Sequence, residues 1–437
     1  MEIEQSDLTD FLWGVSTSAF QIEGDTINDM TEWEGSGGFH QNGKNPLYKN
    51  AARHWKMWED DYRLLKELSV NAYRFSMEWG RIQPEPGKYS RKALDQYSRM
   101  VDRLLELQIT PMLTLHHFTH PVWFHKKTPW HTPESIGSFL QFAEKLVKRF
   151  ADRISLFITF NEPLVWALAA YGDAKFPPGE KNLARVMDAL FNMLQAHRQT
   201  YDLIKGYNPE AQIGIAKNFI IFSPQRRWHP FDSGLNNLIH FFYNIMVLEA
   251  FKINRLRFKF PALLYFDKPI ALDDCIDFWG INYYYRMHVK FRLNLKLPFQ
   301  IDSIHRSGEG MSDLNWEIYS KGLWQVLKWV RPTGKPIYIT EHGIADAEDY
   351  KRLHYLKSVL QILQEAKEKG YPIKGYFHWS LMDNYEWLEG SAAKFGLYEV
   401  DYNNGYKRIL RQSGKHYSEF IEAYKKESVH SKKCQIS

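Results

Sequence analysis

The chain has 437 residues, 44% hydrophobic and 24% charged, the balance of a soluble protein with enough length for a large core. Its net charge of +5 is small and spread along the chain, which argues against nucleic acid as a partner, and two cysteines, Cys275 and Cys434, are too few for a disulfide framework. The opening residues Met1 to Asp7 are acidic and show no basic run followed by an apolar one, so no secretory signal is read and a cytoplasmic location is expected.

Apolar, β-rich runs recur at Phe11–Ala19, Ala72–Ser76, Thr110–Leu115, Leu156–Asn161, Ile213–Asn218, Phe278–Tyr283, Ile337–Glu341 and Ile373–Trp379. Helical spacing of apolar residues fills most of the intervals. Met57, Leu64, Leu65 and Leu68 precede the second run, and Tyr97, Met100, Val101, Leu104 and Leu105 precede the third. The clearest helix is expected over Thr132–Phe150, with Thr132 as its cap and Pro133 as its first helical residue. Gly234–Phe251 is the least polar long stretch. It carries Asn236, Asn237, His240, Asn244 and Glu249, so it reads as a buried or half-buried helix rather than a membrane span. A last helix is expected around Ser413–Tyr424.

Eight strands alternating with helices predict an α/β fold, a single (β/α)8 TIM barrel over residues 1–426 with elaborated βα loops at its C-terminal face. The rival, an open doubly wound sheet, predicts a glycine-rich turn after the first strand, and none is present. Inserted material is expected at Arg286–Gly310, where Val289, Phe291, Leu293, Leu295 and Leu297 alternate with Lys290, Arg292, Asn294 and Lys296. This is the pattern of a hairpin with one wet basic face at the barrel mouth. A membrane-surface patch is the alternative reading, although membrane contact is not expected overall. Residues 427–437 form a polar tail.

Two runs end on a glutamate and then break: Thr159-Phe160-Asn161-Glu162-Pro163 and Ile339-Thr340-Glu341-His342-Gly343. Each delivers a carboxylate to the end of a buried strand, the place where a parallel barrel keeps its chemistry. Only a closed fold brings two residues so distant in sequence together. Two carboxyl groups facing one bond suffice for glycoside hydrolysis, one as nucleophile and one as proton donor. The donor must keep its proton near neutral pH, which burial and a neighbouring negative charge achieve. Asn161 is placed to hydrogen-bond a sugar 2-hydroxyl. The high aromatic content, 16% with 15 Trp and 25 Tyr, suits a pocket for flat, weakly polar ligands.

These segments resemble those of glycoside hydrolase family 1, the β-glucosidase and β-galactosidase family, from about Phe11 to Asp401. The resemblance implies that Glu162 is the acid/base and Glu341 the nucleophile of a retaining enzyme without cofactor or metal. It adds Arg74, Asn282 and Tyr284 to the catalytic group, with Arg74 stabilising the charge on Glu341 and Tyr284 donating a hydrogen bond to it. Sugar binding is implied for Gln21, His117, Asn161, Trp379, Glu386, Trp387 and Phe395, and Trp316 resembles a tryptophan lining the leaving-group site. Departures are His342 for an Asn, Ser391 for a Tyr, Lys394 for an Arg, and the stretch Phe241–Leu256.

The expected activity is removal of terminal non-reducing β-glucosides, β-fucosides or β-galactosides from small-molecule glycosides or oligosaccharides. The alternatives are a 6-phospho-β-glycosidase, a transglycosylase and a non-catalytic sugar-binding relative. Glu386 argues against the first, because phospho-specific relatives carry a Ser there and a carboxylate repels phosphate. Retention of both glutamates argues against the last. Oligomeric state stays open.

Overall fold

The computed structural model describes residues 11–38, 48–260, 264–292, 299–302 and 304–436. Its centre is a closed barrel of eight parallel strands: β1 (Leu12–Ser16), β2 (Ala72–Ser76), β3 (Thr110–His116), β4 (Leu156–Asn161), β5 (Gln212–Pro224), β6 (Phe278–Phe291), β7 (Ile337–Glu341) and β8 (Ile373–Trp379). Each strand pairs with its sequence neighbours, and β8 closes on β1. Helices connect the successive strands. Every run predicted as a strand is one; Ala72–Ser76, Leu156–Asn161, Ile337–Glu341 and Ile373–Trp379 keep their predicted ends, and the other four are shifted at one or both ends. Phe11–Ala19 is too long because the chain turns into a short helix at Ala19–Glu23.

The barrel is filled, not hollow. Leu12, Ala72, Met112, Leu156, Ile158, Ala216, Phe278, Tyr338 and Phe377 form one buried cluster, with all eight strands contributing. A much larger apolar cluster lies between the strands and the outer helices. The filled floor leaves the C-terminal ends of the strands as the open face.

Three helix expectations need correction. The helix predicted from Thr132 runs Glu134–Phe150, with Pro133 at its cap position in helical conformation. Thr132 instead donates its hydroxyl to the carbonyl of Pro129, so it closes the preceding turn rather than capping the helix. The apolar stretch after β5 is two helices, Pro230–His240 and Met246–Ile253, joined by a π-helical turn at Phe241–Ile245. The last helix spans Gln412–Ile436, well past Tyr424.

Beyond the barrel rim, β5 and β6 continue as a parallel pair, and the strand Phe299–Asp302 returns antiparallel on β6. The expected hairpin is therefore present, but its first arm is a continuation of β6 rather than an insertion. The predicted alternation at Leu293–Leu297 lies outside the described residues. Among the described residues, no helix is long and apolar enough to cross a membrane.

Candidate active site

Glu162 and Glu341 stand at the ends of β4 and β7, and both are buried. Each strand carries a register irregularity just before its glutamate, between Ile158 and Asn161 against β5 and between Ile339 and Glu341 against β6. Such irregularities re-aim side chains at barrel rims. Glu162 also adopts a left-handed backbone conformation, with φ +46°, and caps the helix that begins at Pro163. A non-glycine residue held there stores about 1–3 kcal/mol of strain, a cost tolerated where geometry matters.

The two carboxyl groups are dressed differently. Arg74 Nη1 donates to Glu341 Oε1 at 2.5 Å, and the Tyr284 hydroxyl donates to Oε2 at 2.6 Å. One full charge and one hydroxyl thus stabilise the anion of Glu341. The partners of Glu162 are neutral. Its Oε1 accepts the side-chain amides of Asn282 at 2.6 Å and Asn218 at 3.0 Å. Burial, followed by the negative charge of Glu341, pushes its pKa from an ordinary 4.5 up to about 7. A cation thus bonds Glu341 directly, while Glu162 is the carboxyl that burial pushes toward keeping its proton.

One amide network joins them. Asn161 Oδ1 accepts from Arg74 Nη2 at 2.6 Å and from Asn282 Nδ2 at 3.1 Å. Those bonds fix Oδ1, so Nδ2 of Asn161 faces His117 Nε2 at 3.3 Å and donates to it. His117 is buried, and burial holds its pKa well below the usual range. Its neutral ring therefore carries the hydrogen on Nδ1, a buried atom with no partner among the described residues and available to a ligand hydroxyl.

The predicted sugar-binding residues gather at the same rim. Gln21 Nε2 donates to Glu386 Oε2 at 3.0 Å and to Asn384 Oδ1 at 3.1 Å, while its own Oε1 accepts from Ser18. Burial and the charge of Glu341 push Glu386 up to about 8, so its carboxyl is able both to donate and to accept. The rings of His117 and Trp379 lie 5.9 Å apart and nearly parallel, and Trp387 stacks on Phe20 at 5.5 Å. Trp316 rests on Tyr285 at 4.4 Å and lies 6.1 Å from Phe395, which places it at the edge of the Tyr284 cluster. Lys394 lies outside this group, 3.8 Å from Asp383. Among the described residues, no group of three His, Cys, Asp or Glu is arranged to hold a metal ion.

Comparison with known proteins identifies the family. Residues 5–426 match the model of glycosyl hydrolase family 1. The chain belongs to that family. It is 33% identical over 441 residues to a 1,4-beta-D-glucan glucohydrolase of Thermotoga neapolitana, covering 94% of this chain and 97% of the relative. It is 28% identical to a beta-galactosidase of Pyrococcus woesei, covering 90% and 92%. In structure it resembles a beta-glycosidase from Pyrococcus horikoshii, with TM-score 0.86, 35% identity and coverage of 96% and 95%.

Several residues of this family 1 glycosidase's site were missed from sequence. Asn218 ends the fifth predicted strand, but it is not a carboxylate and the apolar run continues past it through Phe219 and Ile220, so the rule that picked out Glu162 and Glu341 passes over it. Thr340 donates to Asn282 Oδ1 at 2.7 Å and so aims that amide at Glu162. Asn384 had no signal beyond its place between Trp379 and Glu386. His342, the departure beside Glu341, is buried and stacks on Tyr355, 4.7 Å between ring centres.

Proposed function

We propose that this chain is a retaining exo-β-glycosidase that removes terminal β-glucose, β-fucose or β-galactose residues from small-molecule glycosides. The observation that carries the reading is the unequal pair, with Glu341 bonded by the Arg74 guanidinium and the Tyr284 hydroxyl, and Glu162 buried with only neutral hydrogen-bond donors and its pKa raised to about 7. Glu341 is the nucleophile. Its carboxylate attacks the anomeric carbon while Glu162 gives its proton to the departing glycosidic oxygen. The glycosyl ester on Glu341 is then cleaved by water, and Glu162, now a carboxylate, takes the water's proton. Asn161 and His117 offer N–H groups to sugar hydroxyls, Gln21 and Glu386 hold the far edge of the ring, and Trp379 offers an apolar face to its C–H side. Two relatives named for glucan and galactoside hydrolysis support a site open to both configurations at C4. No cofactor is required by this scheme.

The chain folds, in this reading, as one catalytic domain followed by a polar tail, and works in a reducing compartment. The free thiol of Cys275 is buried, and burial raises its pKa to about 12, so it is inert.

The test is chemical rescue. Glu341→Gly is expected to be inactive, to regain turnover of an aryl β-glucoside with azide, and to release the α-glycosyl azide. Absence of rescue in a folded variant, or a β-configured product, contradicts the assignment of the nucleophile.

A further inference from the structure

Beside this site lies a charge that the reaction scheme leaves unused. Lys217, on β5 immediately before Asn218, is 4% exposed. Lysines are rarely buried without a carboxylate, because desolvating an ammonium is costly. Here main-chain oxygens hold it: Nζ donates to the carbonyls of Asn218 and Tyr243, both at 2.8 Å. It also lies 4.0 Å from the ring centre of Phe219 and 5.7 Å from that of Tyr243. Burial lowers its pKa to about 7, against the opposing pull of Glu162.

Tyr243 lies in the π turn Phe241–Ile245. Such turns push one residue out of the helical ladder and recur at functional sites. This one is clamped to β5 twice. Asn244 accepts from the amide of Ile220 at 3.1 Å and donates to its carbonyl at 2.8 Å, while Lys217 takes the carbonyl of Tyr243. The clamp aims the Tyr243 hydroxyl, which donates to Asn218 Oδ1 at 2.8 Å. With its oxygen engaged, Asn218 has only its NH2 to offer Glu162, and it does so at 3.0 Å. Without the tyrosine, that amide is free to turn over and present oxygen to the carboxyl.

We propose that Lys217 and the Phe241–Ile245 turn are a positioning device for the proton donor: through Tyr243 and Asn218 they hold the Glu162 carboxyl toward the leaving-group oxygen and set the pH at which it yields its proton. The proposal rests on the reading of Glu162 as acid/base. The other charged and titratable groups facing Glu162 are Glu341 from β7, Arg74 from β2, Tyr284 and Tyr285 from β6, and Glu386 after β8. Those facing the device are His240 beside Lys217, and Tyr285 and Asp173 beside Tyr243.

Tyr243→Phe and Lys217→Met are the test, each assayed from pH 4 to 9 on an alkyl β-glucoside, a poor leaving group, and on 2,4-dinitrophenyl β-glucoside, a good one. Tyr243→Phe frees the Asn218 amide to turn its oxygen toward the carboxyl, and Lys217→Met removes a nearby cation and its hold on the turn, so both disfavour the ionised carboxyl. The alkaline limb of kcat/KM is therefore expected to move up by about one pH unit. The rate on the alkyl glucoside is expected to fall about tenfold, with little change on the dinitrophenyl substrate. A wild-type profile in Tyr243→Phe, or equal losses on the two substrates, overturns the proposal. Tyr243→Phe removes a single oxygen and decides the matter alone if Lys217→Met does not fold. Glu162→Ala is run alongside: if it too loses both substrates equally, the failure lies with the assignment of Glu162 instead.

Discussion

Replacing Glu162 with Gln is expected to stabilise the protein at alkaline pH and to leave its stability unchanged in acid. The folded state raises the pKa of this carboxyl from 4.5 to about 7, first through burial and then through Glu341. In the unfolded chain the group titrates at its ordinary value. Between those pH values the folded state binds more protons than the unfolded one, so stability falls as pH rises from below 4.5 and the loss is complete above 7. At about 1.4 kcal/mol per pH unit, the native protein carries a burden of roughly 3 kcal/mol at pH 8. The substituted amide carries no charge to desolvate, and its oxygen still accepts from Asn282 and Asn218, the two side chains that hold the native carboxyl. Urea unfolding at pH 4 and pH 8 gives the comparison. The variant is expected to match the wild type at pH 4 and to exceed it by up to about 3 kcal/mol at pH 8. A gain of the same size at both pH values, or a loss at pH 8, refutes the claim that the fold holds this proton.

Tyr284→Phe deletes the hydroxyl that donates to Glu341 at 2.6 Å. A hydrogen bond to a charged group is worth about 1.5–3 kcal/mol, so kcat/KM on an aryl glucoside should drop about 10- to 100-fold with the fold intact by circular dichroism. Gly343→Ala should destabilise by about 1–3 kcal/mol or more in a denaturant titration. A Cβ there would lie 2.0 Å from the carbonyl oxygen of Trp379, and that residue is tied back by its amide to His342.

The barrel was legible because each strand contains an apolar run, and the burial that selects such runs also makes them the lumen and inner wall. The carboxylates were legible for the same reason, as glutamates closing apolar runs before Pro163 and Gly343. What escaped is what depends on contacts between distant segments. Thr132 looks like a cap, yet its hydroxyl goes back to Pro129. Phe11–Ala19 reads as one strand because Phe20 and Ile22 continue the apolar run through a change to helix. Lys217 is the one charge inside the fifth run, but its meaning depends on the π turn, and no local pattern distinguishes Phe241–Ile245 from ordinary helix. Tyr243 and Asn218 meet only because that turn is pinned to β5.

The central claim is that Glu341 forms a covalent bond to the sugar while Glu162 manages the proton. The most direct measurement is to inactivate the enzyme with a 2-deoxy-2-fluoro-β-glucosyl donor bearing a very good leaving group, digest it, and locate the label by mass spectrometry. A single fluoroglucosyl ester on Glu341 is predicted, with activity lost in step with labelling. A label on Glu162 or any other residue, or turnover-dependent inactivation without a covalent adduct, contradicts the account.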